Sequence, residues 1–275
     1  MLVTSGPRCS YWLDEIPVEA CAEESVAKDL YRWADVVLGT HAGRGHILRD
    51  AARAGRPIAF YLQLGRTPRH LMFGTPDLTV LNSYFLGREY GRQRAVVLHP
   101  PIDEVDYLTT RGDAITLVNP IDEKGIGLLL ALARRLPTRG FLTVMGRSLQ
   151  PLPASLPPNL TVLSTQADMR VVYGRTRILL VPSAYESYGR VGLEAAVSGI
   201  PTIAHDITGL RESLADAALW VDPTAPLDDW IARIAELDDP ETYAQWSARA
   251  RRRFDELDPD REFDEFERAL VRLAT

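Results

Sequence analysis

Two glutamates, Glu186 and Glu194, stand eight positions apart in the stretch PSAYESYGRVGLEAAVSGIPTIA, residues 182–204. Paired carboxylates suggest glycoside hydrolysis, which needs carboxyl separations of about 5–5.5 Å or about 6.5–9.5 Å. Eight residues along a single helix would separate the two by about 12 Å on the axis and turn them roughly 80° apart. The spacing therefore disfavours a hydrolytic pair. It suits two separate hydroxyl contacts on one extended ligand, with Glu186 on a loop and Glu194 inside a helix. A capping or surface role is the alternative for each. Between them runs the turn Ser187-Tyr188-Gly189-Arg190-Val191. Gly189 permits close backbone approach, and N–H groups at a helix start favour a phosphate or sugar oxygen. A plain N-cap by Ser187 is the other reading.

A second candidate lies in VNPIDEKG, residues 118–125, where a strand ends, a proline turn follows and Lys124 opens a helix. A lysine there can reach a diphosphate held between two strand ends, or simply point into solvent. Of 31 basic residues only Lys28 and Lys124 are lysine. In a chain that uses arginine almost everywhere, a compact point charge at this place favours the functional reading.

Charge is distributed unevenly. The chain carries a net charge of −6, yet residues 40–94 hold nine arginines against Asp50, Asp77 and Glu89, which makes that segment +6. The loop LGRTPRHLMFG (64–74) places Arg66, Arg69, His70 and Phe73 together. Cationic and aromatic groups in one loop suit an anionic partner, either nucleic acid or a phospholipid head group. Solvated helix faces are the alternative.

The elements that must position these residues follow from apolar runs and turn signals. Strands are expected at Leu2–Thr4, Asp35–Gly39, Pro57–Leu62, Leu78–Leu81 and Ala95–Leu98, with helices at Glu23–Ala34, His46–Ala54 and Tyr84–Tyr90. HPPIDEVDY (99–107) reads as a linker. A second series then has strands at Ala114–Val118, Phe141–Met145, Leu160–Leu163, Ile178–Val181, Pro201–Ala204 and Ala218–Val221. Its helices are expected near 127–135, 169–173, 189–198, 210–215, 228–237 and 240–256, with a last amphipathic helix at 261–273. Short apolar strands alternating with helices imply parallel sheets covered on both faces, here two doubly wound α/β domains. The expected division is 1–105, 106–256 and a returning C-terminal helix within 257–275. Ligands in such sheets sit beyond the carboxyl ends of the strands, so the loops after Val118, Met145, Leu163 and Val181 are where a site is expected.

Length and composition bound the rest. At 275 residues, with 46% hydrophobic and 25% charged residues, the chain is an ordinary globular sequence. No apolar run approaches the roughly 20 residues of a membrane span. MLVTSGPR lacks the pattern of a secretory leader. Cys9 and Cys21 have no metal spacing. A cytoplasmic protein with reduced thiols is expected.

From about Ala114 to Glu212 the chain resembles the donor half of retaining GT-B glycosyltransferases, in particular glycosyltransferase family 4. The resemblance is carried by Pro182-Ser183, Glu186, Ser187-Tyr188-Gly189 and Glu194, then Ala195, Gly199 and Pro201. VMGR (144–147), ITGLRE (207–212), and LTVLNSYF (78–85) with HPPID (99–103) agree with it. It implies a GT-B fold, two Rossmann-like domains facing a central cleft, the first of them shortened. It implies a nucleotide-sugar donor, a metal-independent hexosyl or pentosyl transfer, retention of configuration and no cofactor. In that frame Glu194 holds the ribose hydroxyls and Glu186 the donor sugar. Lys124 and the N–H groups near Gly189–Val191 hold the diphosphate, with Glu186 and Lys124 the catalytic pair. Gly146, Arg147, Ser187, Tyr188 and Arg190 complete the donor site, and His41 resembles a sugar-contacting histidine of the first half. The family has Gly-Arg where this chain has Val118-Asn119, so one diphosphate cation is absent from its usual place; Asn119 is still expected at the donor site as a hydrogen-bond donor, with Arg147 or Arg190 supplying the charge. A degenerate nucleotide-sugar or carbohydrate binding module, or an epimerase or phosphorylase on the same fold, is the alternative.

Overall fold

The computed structural model describes residues 2–5, 9–13, 16–21, 27–40, 46–63, 76–91, 95–146 and 150–275. Two compact units emerge. One comprises residues 1–82, 86–98 and 260–275, the other 83–85 and 99–259.

In the second unit β8 (Ala114–Val118), β9 (Phe141–Val144), β10 (Leu160–Leu163), β11 (Thr176–Val181), β12 (Thr202–His205) and β13 (Ala218–Val221) form one sheet, every pairing parallel. Their spatial order is β10-β9-β8-β11-β12-β13. That is the doubly wound order in which the chain runs outward from the centre to one edge, returns, and runs to the other. Alternation along β11 divides the core. Ile178 and Leu180 pack with Leu129, Leu132 and Trp230, from α5 (Ile126–Arg135) and α9 (Leu227–Glu236). Leu179 and Val181 face the other way, onto Leu193 of α7 (Arg190–Ala196) and Leu210 and Leu214 of α8 (Thr208–Leu214). Helix α6 (Arg170–Tyr173) lies on that face, and α10 (Pro240–Asp255) closes the unit, with Asp239 accepting from the Thr242 N–H as its N-cap.

The stretch expected to be a linker is built into this unit. Asp103 caps α4 (Glu104–Tyr107), and Ile102 and Tyr107 are buried in the α7 face of the core. The boundary consequently falls between Leu98 and His99 rather than near residue 105.

The first unit has a parallel sheet in the order β4-β5-β6-β7, from Val37–Thr40, Ile58–Leu62, Leu78–Leu81 and Ala95–Val97. Helices α1 (Ala27–Trp33), α2 (His46–Arg53) and α3 (Tyr84–Tyr90) alternate with these strands. Ala59, Leu78 and Val80 pack against Phe266, Ala269, Leu270 and Leu273 of α11 (Pro259–Ala274). A separate small sheet of β1 (Leu2–Ser5), β2 (Cys9–Leu13) and β3 (Ile16–Cys21) corrects the all-parallel expectation. In the order β1-β3-β2, β3 runs parallel to β1 and antiparallel to β2.

Candidate functional site

β8 and β11 are neighbours at the centre of the second sheet, and the strands that follow each are laid down on opposite sides. Their exit loops diverge, which is the switch point where α/β sheets bind ligands. A cavity of about 240 Å³ sits there. Val118 and Asn119 wall it from the end of β8, Leu180, Val181 and Ser183 from the end of β11, Lys124 and Glu186 from the two exit loops, and Arg190 and Val191 from the start of α7.

Lys124 reaches the cavity because the chain after β8 folds into a tight turn at Asp122–Lys124, closed by the Lys124 N–H on the Ile121 carbonyl at 3.0 Å. Gly125 follows with φ 86°, and a Cβ there would stand 2.5 Å from Pro182 Cγ. Only glycine lets this turn pack directly on the exit of β11. The Ala184 N–H donates to the Glu123 carbonyl at 2.9 Å and ties the two loops together. Lys124 Nζ consequently meets Glu186 Oε1, which also accepts from Ser183 Oγ at 2.8 Å. A cation from one strand end and a carboxylate from the other, 62 residues apart in sequence, share one cavity wall.

Behind Glu186 the packing is tight. A Cβ on Gly209 would stand 1.9 Å from the Glu186 carbonyl oxygen, so the start of α8 presses on the loop backbone. His205 Nδ1 lies 3.2 Å from the Ser183 carbonyl, and the ring meets Trp230 edge-on. Burial holds the His205 imidazole below its ordinary pKa of 6.5, against the opposing pull of the Ser183 carbonyl and Asp222.

Glu194 sits one step further in. It is 8% exposed, with Oε2 accepting from the Tyr173 hydroxyl at 2.7 Å and Oε1 3.0 Å from Arg190 Nε. Arg190 Nη2 also donates to the Tyr107 hydroxyl at 2.6 Å. Burial raises the Glu194 carboxyl above the usual glutamate value, and Tyr173, Arg190 and Tyr107 offset only part of that. Tyr173, wholly buried and facing this carboxylate, is raised well above the ordinary tyrosine value, first by burial.

Other expected residues fall differently. Helix α7 is capped by Gly189 in the left-handed region at φ 80°, with no side-chain cap, so Ser187 is not the N-cap. The Tyr188 ring is 3% exposed and stacks on His99 at 4.4 Å, which leaves only its backbone to face a ligand. Gly146 makes room for a neighbour, since a Cβ there would stand 2.3 Å from Asn119 Oδ1. Asn119 adopts φ 61°, lines the cavity, and buries Oδ1 without a partner. Arg147, His41, Arg66, Arg69 and His70 lie outside the described residues. Among the described residues no cluster of His, Cys, Asp or Glu is placed to hold a metal ion, and no helix is long and apolar enough to cross a membrane.

Sequence reasoning missed Ser183, Tyr173, Tyr107 and Glu212. Ser183 stood in the Pro-Ser pair ahead of Glu186 and was within reach of notice. Glu212 accepts from the Tyr84 and Phe85 N–H groups at 2.5 and 2.7 Å and lies 3.0 Å from His99 Nε2. These contacts cross more than 110 residues of sequence and leave no local pattern.

Two parallel-sheet α/β units, with a crevice at the switch point of the second, match the GT-B fold, and solved structures agree. HepE of Anabaena, described in complex with UDP, superposes with a TM-score of 0.76 over 94% of this chain and 86% of its own, at 17% identity. A glycosyltransferase of Rickettsia africae gives 0.74 over 93% and 85%, at 15% identity. At such identities the likeness is one of fold. In sequence, the family model for glycosyl transferases group 1 matches residues 115–253, just over half of the chain, and the protein belongs to that family. The D-inositol 3-phosphate glycosyltransferase of Mycobacteroides abscessus is 36% identical over 129 residues, 42% of this chain and 29% of its own length. The O-antigen chain mannosyltransferase B of Escherichia coli is 38% identical over 56 residues, 20% of this chain and 15% of its own. The matches thus span less than a third of the length of these curated relatives.

Proposed function

We propose that this protein transfers a sugar from a nucleoside-diphosphate donor to an acceptor hydroxyl, with retention of anomeric configuration and without a metal ion. The observation that carries the reading is the wall shared by Lys124 and Glu186 at the switch point of the second sheet. Lys124 is assigned to the diphosphate, with the N–H groups around Gly189–Val191 beside it. Glu186 is assigned to the donor-sugar hydroxyls and Glu194 to the ribose hydroxyls. Departure of the nucleoside diphosphate puts negative charge next to Lys124, where a positioned cation lowers the barrier more than mobile water does. Family membership and the UDP complex of the HepE neighbour support a nucleotide-sugar donor.

The direct test is release of nucleoside diphosphate from a panel of UDP-, GDP- and ADP-sugars, with and without candidate acceptors. Release that depends on an acceptor, survives a chelator and yields a product of unchanged anomeric configuration is expected. Donor binding with no turnover on any acceptor would favour the binding-module reading, which Asn119 in place of an arginine motivates. A new free sugar isomer, or transfer to inorganic phosphate, would point to an epimerase or phosphorylase.

The acceptor is proposed to be anionic, because residues 40–94 carry +6 in a chain of −6. Acceptor affinity should then fall steeply between 50 and 200 mM salt, by roughly a thousandfold or more if six or more phosphates are contacted. Affinity that ignores salt would remove this part of the proposal.

A further inference from the structure

We infer that Arg190 is the second cation of the donor diphosphate, held by Glu194 and Tyr107 in this structure and passed to the phosphates when a nucleoside diphosphate enters. The inference rests on the nucleotide-sugar reading of the cavity. It begins with the charges around that cavity. Lys124 is paired with Glu186 and Arg190 with Glu194, so the four charges cancel. A diphosphate brings at least two negative charges into this neutral setting and needs cations that are not already committed. Asn119, where the resemblance implies an arginine, supplies none. Its side chain is neutral and turned against Gly146.

Arg190 is placed to make good the deficit. It lines the same cavity as Lys124, and its side chain is 47% exposed although its partner carboxylate is 10% exposed. Of the five donors on a guanidinium, Nε serves Glu194 and Nη2 serves Tyr107. The remaining donors can take a phosphate oxygen, and rotation of the long side chain frees the other two. Glu194 would not be stranded by the exchange. Tyr173 continues to donate to its Oε2, and the ribose hydroxyls replace Arg190 at Oε1. Lys124 and Glu186 undergo the parallel exchange, with sugar hydroxyls replacing the ammonium. Each carboxylate thus trades a cation for a ligand hydroxyl, and each cation trades a carboxylate for phosphate.

The test compares nucleoside diphosphates with their parent nucleosides on the intact chain. UDP, GDP and ADP are titrated calorimetrically, and the best-bound base is carried forward with its nucleoside followed by saturation-transfer NMR. Arg190→Gln should weaken the diphosphate about 10- to 100-fold, as loss of a charge-assisted contact does, and the nucleoside less than about 3-fold. Tyr107→Phe removes the hydroxyl that holds Arg190 and also steadies the Glu194 carboxylate, so both ligands can weaken, but the diphosphate-to-nucleoside preference should stay at or above wild type. Equal weakening of both ligands by Arg190→Gln would show that Arg190 acts only by placing Glu194, and would overturn the inference. So would an unchanged diphosphate affinity. If Arg190→Gln fails to fold, Arg190→Lys keeps the charge but loses the fork, and should weaken the diphosphate alone by about 3- to 10-fold; no selective loss would again overturn it. A wild-type protein that binds none of the three diphosphates would instead remove the reading beneath.

Discussion

Glu194 is the residue whose energetics and proposed role conflict most openly. Its raised carboxyl pKa means that ionisation costs more in the folded chain than in the unfolded one. The cost is absent below the ordinary glutamate value of 4.5 and fully present above the raised folded value. Glu194→Gln should therefore raise the melting temperature at pH 7, an advantage that shrinks as the pH falls below the raised folded value and is gone below 4.5. The same change should weaken donor binding, because a neutral amide accepts from ribose hydroxyls less strongly than a carboxylate. A variant that loses stability at pH 7 would contradict the burial argument. His205 carries the opposite sign. Its depressed pKa favours the neutral ring in the fold, so stability is present above 6.5 and lost as the pH falls through the lowered folded value. Thermal melts from pH 7.5 to 5 should show a steeper decline in wild type than in His205→Asn.

Among the elements, the loop between β11 and α7 is held from behind, and Gly209 is where that support can be broken. A methyl group 1.9 Å from the Glu186 carbonyl cannot be absorbed by a flexible side chain, since the obstacle is backbone. Gly209→Ala should shift the loop, separate Glu186 from Lys124 and lower turnover at least tenfold, a change of about 1.4 kcal/mol in barrier. Nearly unchanged turnover would show that Glu186 needs no such support. Elements were legible in the sequence wherever an apolar run ended in a turn signal. Leu78–Leu81, Ala114–Val118, Leu160–Leu163 and Ala218–Val221 were readable to the residue. The β2–β3 hairpin was not, because CSYWL and IPVEAC are joined through Asp14-Glu15, without the glycine or asparagine that marks a tight hairpin, and Pro17 argues against a strand. The candidate site was half legible. The local spacing of Glu186, Gly189 and Glu194 is written in one segment, whereas Lys124 on Glu186 and Arg190 on Tyr107 depend on strand order. Hydrogen bonds across 62 and 83 residues have no periodicity to betray them.

At the scale of the molecule, each unit has its own core, and α11 supplies one side of the first. Removing residues 260–275 would expose Ala59, Leu78 and Val80, a loss on the order of 5 kcal/mol, comparable with the stability of a small domain. Limited proteolysis of that truncation should cut within the first unit, while the second unit retains its fold and its proposed nucleotide affinity. Cleavage of both units at equal rates would mean that the cores are not separable. The central claim is that the crevice at the switch point of the second sheet is a donor site built on Lys124. Titration calorimetry of the best-bound nucleotide sugar against wild type and Lys124→Ala addresses it most directly. The expected result is a loss of about 10- to 100-fold in affinity for the variant, the measure of one charge-assisted phosphate contact. Equal affinity of the two proteins for the nucleotide sugar would contradict it.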